Sequence, residues 1–132
     1  MIVVDASAMV EMLLSTERGH AILARIISMG ATIQAPHLLD VEVLNVVRRY
    51  TRLQTLSSKV AQQILSDYRD FPITRHPHDM LLDRIWELRH NLTAYDATYL
   101  ALAEALDAPL ATCDQALAAV PGIRAEVRLW RE

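Results

Sequence analysis

The sequence predicts an α/β domain with a short, mostly parallel sheet of about five strands, covered on both faces by about seven helices. Three observations carry that prediction. The chain opens on an apolar, β-branched run, Ile2-Val3-Val4, of the kind found in strands buried on both faces. Short strand-like runs then alternate with segments of helical periodicity. No repeat, low-complexity tract or linker divides the 132 residues, so one domain spanning 1–132 is expected.

The first strand, Ile2-Val3-Val4, ends at Asp5, which opens a helix carrying Met9, Val10, Leu13 and Leu14. A second helix follows from about Thr16 and is stopped by Gly30. Thr32 to Ala35 is a brief strand closed by Pro36. From Leu38 to Arg52 the apolar positions Leu38, Val41, Leu44 and Val47 recur at helical spacing. Arg48, Arg49 and Arg52 occupy the last turns, where the helix dipole favours cations. Ser57 or Ser58 caps a fourth helix that ends near Phe71-Pro72, and Ile73-Thr74 begins a third strand. Asp79 to Asn91 reads as a fifth helix. Thr93 starts a sixth, rich in small residues (Ala94, Ala97, Ala101, Ala103, Ala105) that allow close approach to a sheet. Pro109 to Thr112 is a fourth strand, Asp114 to Val120 a short helix and Glu126 to Trp130 a terminal strand.

Composition narrows the function classes. With 52% hydrophobic and 22% charged residues, the chain lies far from the disordered class. The longest run without a charged side chain, Ile26 to Leu39, contains Gly30 and Pro36 and is too short to span a bilayer. Met1-Ile2-Val3-Val4-Asp5 has no basic residue ahead of its apolar run and an acid within it, unlike a secretory signal, so a cytoplasmic location is expected. Cys113 is the one cysteine and has no thiolate partner; any metal must be held by oxygen or imidazole. His20, His37, His76, His78 and His90 form no i, i+4 pair on one helix, so zinc is not expected. The net charge of −3 supplies no general attraction for nucleic acid.

The acids require weighing one at a time. Asp5 stands at the C-terminal end of the first strand, where open α/β sheets place their ligand crevice, yet it is equally a good N-cap. Asp114 repeats this situation after the fourth strand. Asp96 lies three residues after Thr93, the spacing of a capping box. Glu42 is harder to explain locally, because Val41 and Val43 flank it and no basic residue stands three or four positions away. A charge facing a core costs several kcal/mol unless it is paired or ligates a metal. Asn45, at i+3, shares the face of Glu42 and is expected to bond to it. Asp40 is turned about 200° away on the same helix and belongs to the solvated first turn. Acids that follow strands converge at one sheet edge, and Asp96 joins them from its helix start. No capping argument predicts that convergence. Several carboxylates in one crevice need a counter-charge, usually a hard cation such as magnesium or manganese. Asp40, Asp79 and Asp83 are expected outside the crevice.

These residues resemble the PIN-domain endoribonucleases, and most closely the toxins of bacterial VapBC toxin–antitoxin pairs. The resemblance covers nearly the whole chain. It rests on Val3-Val4-Asp5-Ala6-Ser7-Ala8, on the run from Ala35-Pro36-His37 through Val41-Glu42-Val43-Leu44-Asn45 to Arg49, on Leu92-Thr93-Ala94-Tyr95-Asp96-Ala97 to Ala103, and on Pro109-Leu110-Ala111-Thr112-Cys113-Asp114 followed by Leu117. Four such segments in order form a specific signal. The resemblance implies a PIN-like three-layer α/β/α fold and an acidic metal site on Asp5, Glu42, Asp96 and Asp114, with Ser7 and Thr112 as supporting hydroxyls. Some members carry a further acid after the last of these; here Ala116 and Leu117 stand instead. The implied chemistry is RNA phosphodiester hydrolysis with Mg2+ or Mn2+, leaving a 5′-phosphate and a 3′-hydroxyl, without a covalent nucleophile. A small VapB-type antitoxin would inhibit it.

Other candidates have plain readings beside functional ones. Arg48, Arg49 and Arg52 suit RNA phosphates, and equally a basic helix end. Tyr95, Tyr99 and Trp86 are expected in the core rather than as stacking platforms. Met9-Val10-Leu13-Leu14 reads as exposed apolar surface, from which a homodimer and an antitoxin groove against the Leu38 to Arg52 helix are expected. Two rival functions remain at this point: a non-catalytic PIN-like module that binds RNA or a partner, and a haloacid-dehalogenase-type phosphatase. Retention of all four acids weighs against the first. Ser7 in place of a second aspartate and a single lysine, Lys59, weigh against the other.

Overall fold

The computed structural model describes residues 1–131. Its strands are β1 (Ile2–Val4), β2 (Ile33–Pro36), β3 (Ile73–His76), β4 (Leu110–Thr112) and β5 (Val127–Leu129). They form one sheet in the order β3-β2-β1-β4-β5, with every pairing parallel. The helices are α1 (Ala6–Leu13), α2 (Glu17–Ser28), α3 (Leu38–Arg52), α4 (Ser58–Asp70), α5 (Leu82–Glu87), α6 (Ala94–Leu106) and α7 (Gln115–Ala118), with a 3-10 turn at Asp79–Leu81 before α5.

Strand order explains the layers. Parallel neighbours need crossover connections, and these are right-handed. From β1 to β2 to β3 the chain steps one way, which puts α1 to α4 on one face; from β3 to β4 it returns past β2 and β1, which puts α5 and α6 on the other. The packing agrees: α1 meets α2, α3 and α4, whereas α6 lies over β1, β2 and β4 beside α5. Covered from both sides, Ile2, Val3 and Val4 are fully buried, and their uniformly apolar run follows from that. Every residue of α6 from Ala97 to Ala103 is buried as well.

Local signals set the element ends. Asp5, Thr16, Ser57, Thr93 and Asp114 each cap a helix by accepting a backbone N–H. Gly30 takes φ +60° just past α2, the left-handed turn that favours glycine there. Gly19 lets α2 press against the end of α1, since a Cβ on it would stand 2.0 Å from the Glu11 carbonyl oxygen.

Four expectations are corrected. The buried stripe of α3 is Leu39, Val43 and Val47, while Val41 is 64% and Leu44 50% exposed. The helix is apolar enough to offer two phases, and the i, i+4 row is the one that meets the core. Met9, Val10 and Leu13 are buried, because α1 is enclosed by α2, α3, α4 and β4; the exposed apolar surface inferred from them is absent there. The expected fifth helix divides into the 3-10 turn and α5, which stops when the Leu88 N–H is shared between the carbonyls of Arg84 and Ile85. Trp86 and Tyr95 lie on the surface rather than in the core, Trp86 with the Arg89 guanidinium 4.5 Å from its ring. No helix among the described residues is long and apolar enough to cross a membrane.

Candidate acidic site

The strand order reverses at β1, whose neighbours β2 and β4 are reached by connections on opposite faces. At such a switch point the helices diverge and leave a crevice outside the strand C-termini. Register places Val4 beside Ala111, so Asp5 leaves β1 level with Thr112 at the end of β4.

Asp5 is almost fully buried and held on both oxygens. Oδ1 accepts from the Ser7 hydroxyl at 2.7 Å and the Ala8 N–H at 3.0 Å, and Oδ2 accepts from the Thr112 hydroxyl at 2.5 Å. Ser7 Oγ in turn accepts from the Cys113 N–H at 2.9 Å, and Thr112 Oγ1 from the Asp114 N–H at 3.0 Å. The two expected supporting hydroxyls therefore tie the end of β1 to the segment that carries Asp114. Asp5 is both cap and crevice acid; the two readings are compatible. Asp114 likewise caps α7 through the Ala116 N–H at 2.9 Å.

Glu42 enters from α3, half-buried, with Oε1 accepting the Tyr99 hydroxyl at 2.5 Å. At Asp96 the N–H donates to Thr93 Oγ1 at 3.2 Å, one half of a capping box. Among the described residues no return bond runs from the Asp96 carboxylate, which is left for the crevice.

Electrostatics ties the four together. Burial pushes the Asp96 carboxyl up to about 6, and the charges of Asp114, Asp5 and Glu42 add to that rise in that order. Burial also raises Asp5, against the lowering effect of Thr112, Ser7 and the Ala8 N–H, with Asp114 adding to the rise. None of the ion pairs among the described residues involves any of the four. Nor, among those residues, does any group of three or more His, Cys, Asp or Glu side chains stand in an arrangement that would hold a metal ion as placed. Asp5 and Glu42 are instead held by hydroxyls of the chain. In kind the donors are carboxylate oxygens, which suit a hard divalent cation, and the set lacks the thiolates and imidazoles of a zinc centre.

The remaining candidates separate. Asn45 is exposed and makes no bond to Glu42, though it lines the same groove. Arg48, Arg49 and Arg52 are exposed on the second half of α3, and of these Arg49 lines that groove. Asp40 lies outside the site, as expected, but is not simply solvated: it pairs with Arg75 at 2.9 Å and accepts the Tyr68 hydroxyl at 2.6 Å. Asp79 and Asp83 are exposed around the start of α5. Tyr99 is the residue that sequence reasoning missed as a site partner. Its i+3 spacing from Asp96 puts both on one face of α6, a signal available in the sequence.

The PIN domain family model matches residues 2–123. Ribonuclease VapC1 of Mycobacterium tuberculosis is 42% identical over 130 residues, covering 98% of this chain and 97% of its own. Ribonuclease VapC12 of the same species is 39% identical over 129 residues, covering 98% of each. Among solved structures, VapBC2 from Rickettsia felis bound to a promoter DNA fragment superposes with a TM-score of 0.72 at 15% identity, over 98% of this chain and 99% of that one. The Mycobacterium tuberculosis toxin VapC20 gives 0.68 at 15% identity, over 94% and 97%. With the family model spanning nearly the whole chain and relatives of this identity aligned end to end, the chain belongs to the PIN-domain family and, within it, to the VapC group.

Proposed function

We propose that the protein is a metal-dependent endoribonuclease, the toxin of a toxin–antitoxin pair, hydrolysing RNA phosphodiester bonds with Mg2+ or Mn2+. The observation that carries this reading is the gathering of four acids at the C-terminal edge of the sheet, where Asp114, Asp5 and Glu42 all act on Asp96, with no basic side chain among the described residues paired to any of them. VapC1 and VapC12 are named ribonucleases and match this chain from end to end, which supports RNA as the substrate. The VapBC complexes that share the fold support a small VapB-type antitoxin as a protein partner. We place its contact on the exposed Leu44, Leu53 and Val60 of the α3–α4 pair, now that Met9, Val10 and Leu13 are accounted for in the core. A homodimer belongs to the same reading.

Asp5, Glu42, Asp96 and Asp114 would hold the ion, which supplies a Lewis acid that polarises the phosphodiester and acidifies a water molecule. The chain's own contribution is positioning. Ser7 and Thr112 fix Asp5, Tyr99 fixes one oxygen of Glu42, and Asp96 keeps its carboxylate free of capping bonds. Without a counter-charge Asp96 retains a proton up to about pH 6, so binding a cation near neutrality costs little proton displacement.

The test is cleavage of end-labelled RNA by the purified protein with magnesium, manganese or chelator, with the product ends mapped. Metal-dependent cuts bearing 5′-phosphates, lost in Asp96→Asn, are expected. Cleavage that persists in chelator, or survives Asp96→Asn, overturns the reading.

A further inference from the structure

Beside the acids, α3 and the first turns of α1 and α6 enclose an open groove of about 440 Å3. Glu42, Asn45 and Arg49 stand along one face of α3 at i, i+3 and i+7, with Leu38 one turn before Glu42, Val46 between Asn45 and Arg49, and Tyr95 on the α6 side. From Glu42 to Arg49 the helix rises about 10 Å. The groove thus passes from the carboxylate cluster, through an amide, to a cation. Arg49 is exposed and holds no ion pair among the described residues. Tyr95 is 61% exposed, in the first turn of a helix that is buried from Ala97 to Ala103.

Packing gives no reason for an aromatic ring at that position. A nucleic-acid strand does, because bases unstacked from their neighbours settle on exposed aromatic faces, and a guanidinium fork grips phosphate. We propose that this groove seats the nucleotide adjoining the scissile bond of a single-stranded RNA, its base stacked on Tyr95 and its outer phosphate held by Arg49. The proposal rests on the ribonuclease reading and adds Tyr95 and Arg49 as residues that position the substrate. Charge order favours RNA over a peptide as occupant: a strand whose scissile phosphate sits over the acids carries its next phosphate away from them, toward the one arginine of the three that lines the groove. Asn45, beside the stacked base, is placed to read its edge.

The test uses a fluorescently labelled single-stranded RNA. Binding is read by anisotropy in the Asp96→Asn background with manganese present, so that no cleavage intervenes, and cleavage is read in the otherwise native chain. Tyr95→Ala is expected to weaken binding tenfold or more, Tyr95→Phe to retain it, and Arg49→Ala to weaken it and lower the slope of log affinity against log salt by about one. In the native background Tyr95→Ala should raise KM far more than it lowers kcat and should erase base preference on one side of the cut. Its melting temperature should not move, because the ring is exposed. A wild-type chain that cleaves while Tyr95→Ala binds and cuts identically overturns the groove assignment alone. Loss of inhibition by the antitoxin in Tyr95→Ala, with RNA binding intact, assigns the groove to that protein and likewise overturns it. No cleavage by the wild type with either metal overturns the nuclease reading and this proposal with it.

Discussion

The Tyr99 hydroxyl donates to Glu42 Oε1 across 2.5 Å, so that an acid on α3 is fixed by a side chain from the helix layer on the other face of the sheet. The Tyr99 ring is 1% exposed, and burial together with the Glu42 carboxylate holds its hydroxyl protonated well above the usual tyrosine range. The bond therefore persists at any physiological pH. Tyr99→Phe keeps the ring packing and removes only this donor. We expect a loss of about 1.5 kcal/mol, the lower end for a bond to a charged group, since half-buried Glu42 regains some water. Manganese affinity should fall roughly tenfold, as when an outer partner of a ligand is removed. A urea midpoint and a manganese titration check both. An unchanged titration makes Tyr99 a core residue only.

Asp40 tests the opposite assignment. It accepts from Arg75 Nε and from the Tyr68 hydroxyl, linking α3 to β3 and α4, and none of the three residues bonds to the four crevice acids. Asp40→Asn should leave RNA cleavage within about twofold of wild type. Its stability cost should stay near 1 kcal/mol, because the side chains of Arg75 and Asp40 are 32% and 42% exposed and water screens the pair. Cleavage lost in a folded Asp40→Asn would move the site.

Gly19 bears on the frame that holds Asp5. A Cβ there would meet the Glu11 carbonyl oxygen at 2.0 Å and the Met12 nitrogen at 2.8 Å, both backbone atoms with no rotamer to yield. Gly19→Ala should therefore cost about 3 kcal/mol or more by forcing α2 off α1, despite alanine's better helix propensity. Chemical denaturation measures this, and a stable Gly19→Ala would show that the α1–α2 contact can relax.

Much of this was legible in the sequence where local chemistry and global packing agree. Ile2-Val3-Val4-Asp5 specified a doubly covered strand and its crevice acid together, and Thr112-Cys113-Asp114 specified the neighbouring strand end. The phase of α3 was not legible, because two apolar rows fit its spacing and only the sheet decides between them. Tyr95 and Tyr99 show a related limit. They stand four apart on one helix, with the same chemistry, yet one ring is buried and the other exposed; that difference comes from where α6 emerges beyond the sheet edge. Asn45 illustrates the reverse error, since sharing a helix face with Glu42 put it in the same groove without making the expected hydrogen bond.

Asp96 gives the prediction that most directly separates a crevice acid from a helix cap. Its carboxyl sits at about 6 in the folded chain against an ordinary 3.8. An acid whose folded pKa is raised favours the folded state most below its ordinary value, and that contribution is lost as pH climbs through the folded pKa. In chelator, Asp96→Asn should therefore melt above the wild type at pH 7 to 8, with the gap closing toward pH 4. Asp5 is raised in the same direction, and because the two carboxylates repel each other, losing the Asp96 charge also relieves Asp5, which acts in the same sense at neutral pH. Were Asp96 only a first-turn acid aligned with the helix dipole, the variant would instead lose about 0.3 to 1 kcal/mol at neutral pH and melt lower. Metal then reverses the order. Manganese at a hundred times its dissociation constant adds about 2.7 kcal/mol to the wild type by mass action, and much less to a variant missing one carboxylate. A melting series from pH 4 to 8, with chelator and with manganese, should show the two curves exchange rank. If they keep the same rank in both, Asp96 does not share a cation with the other acids.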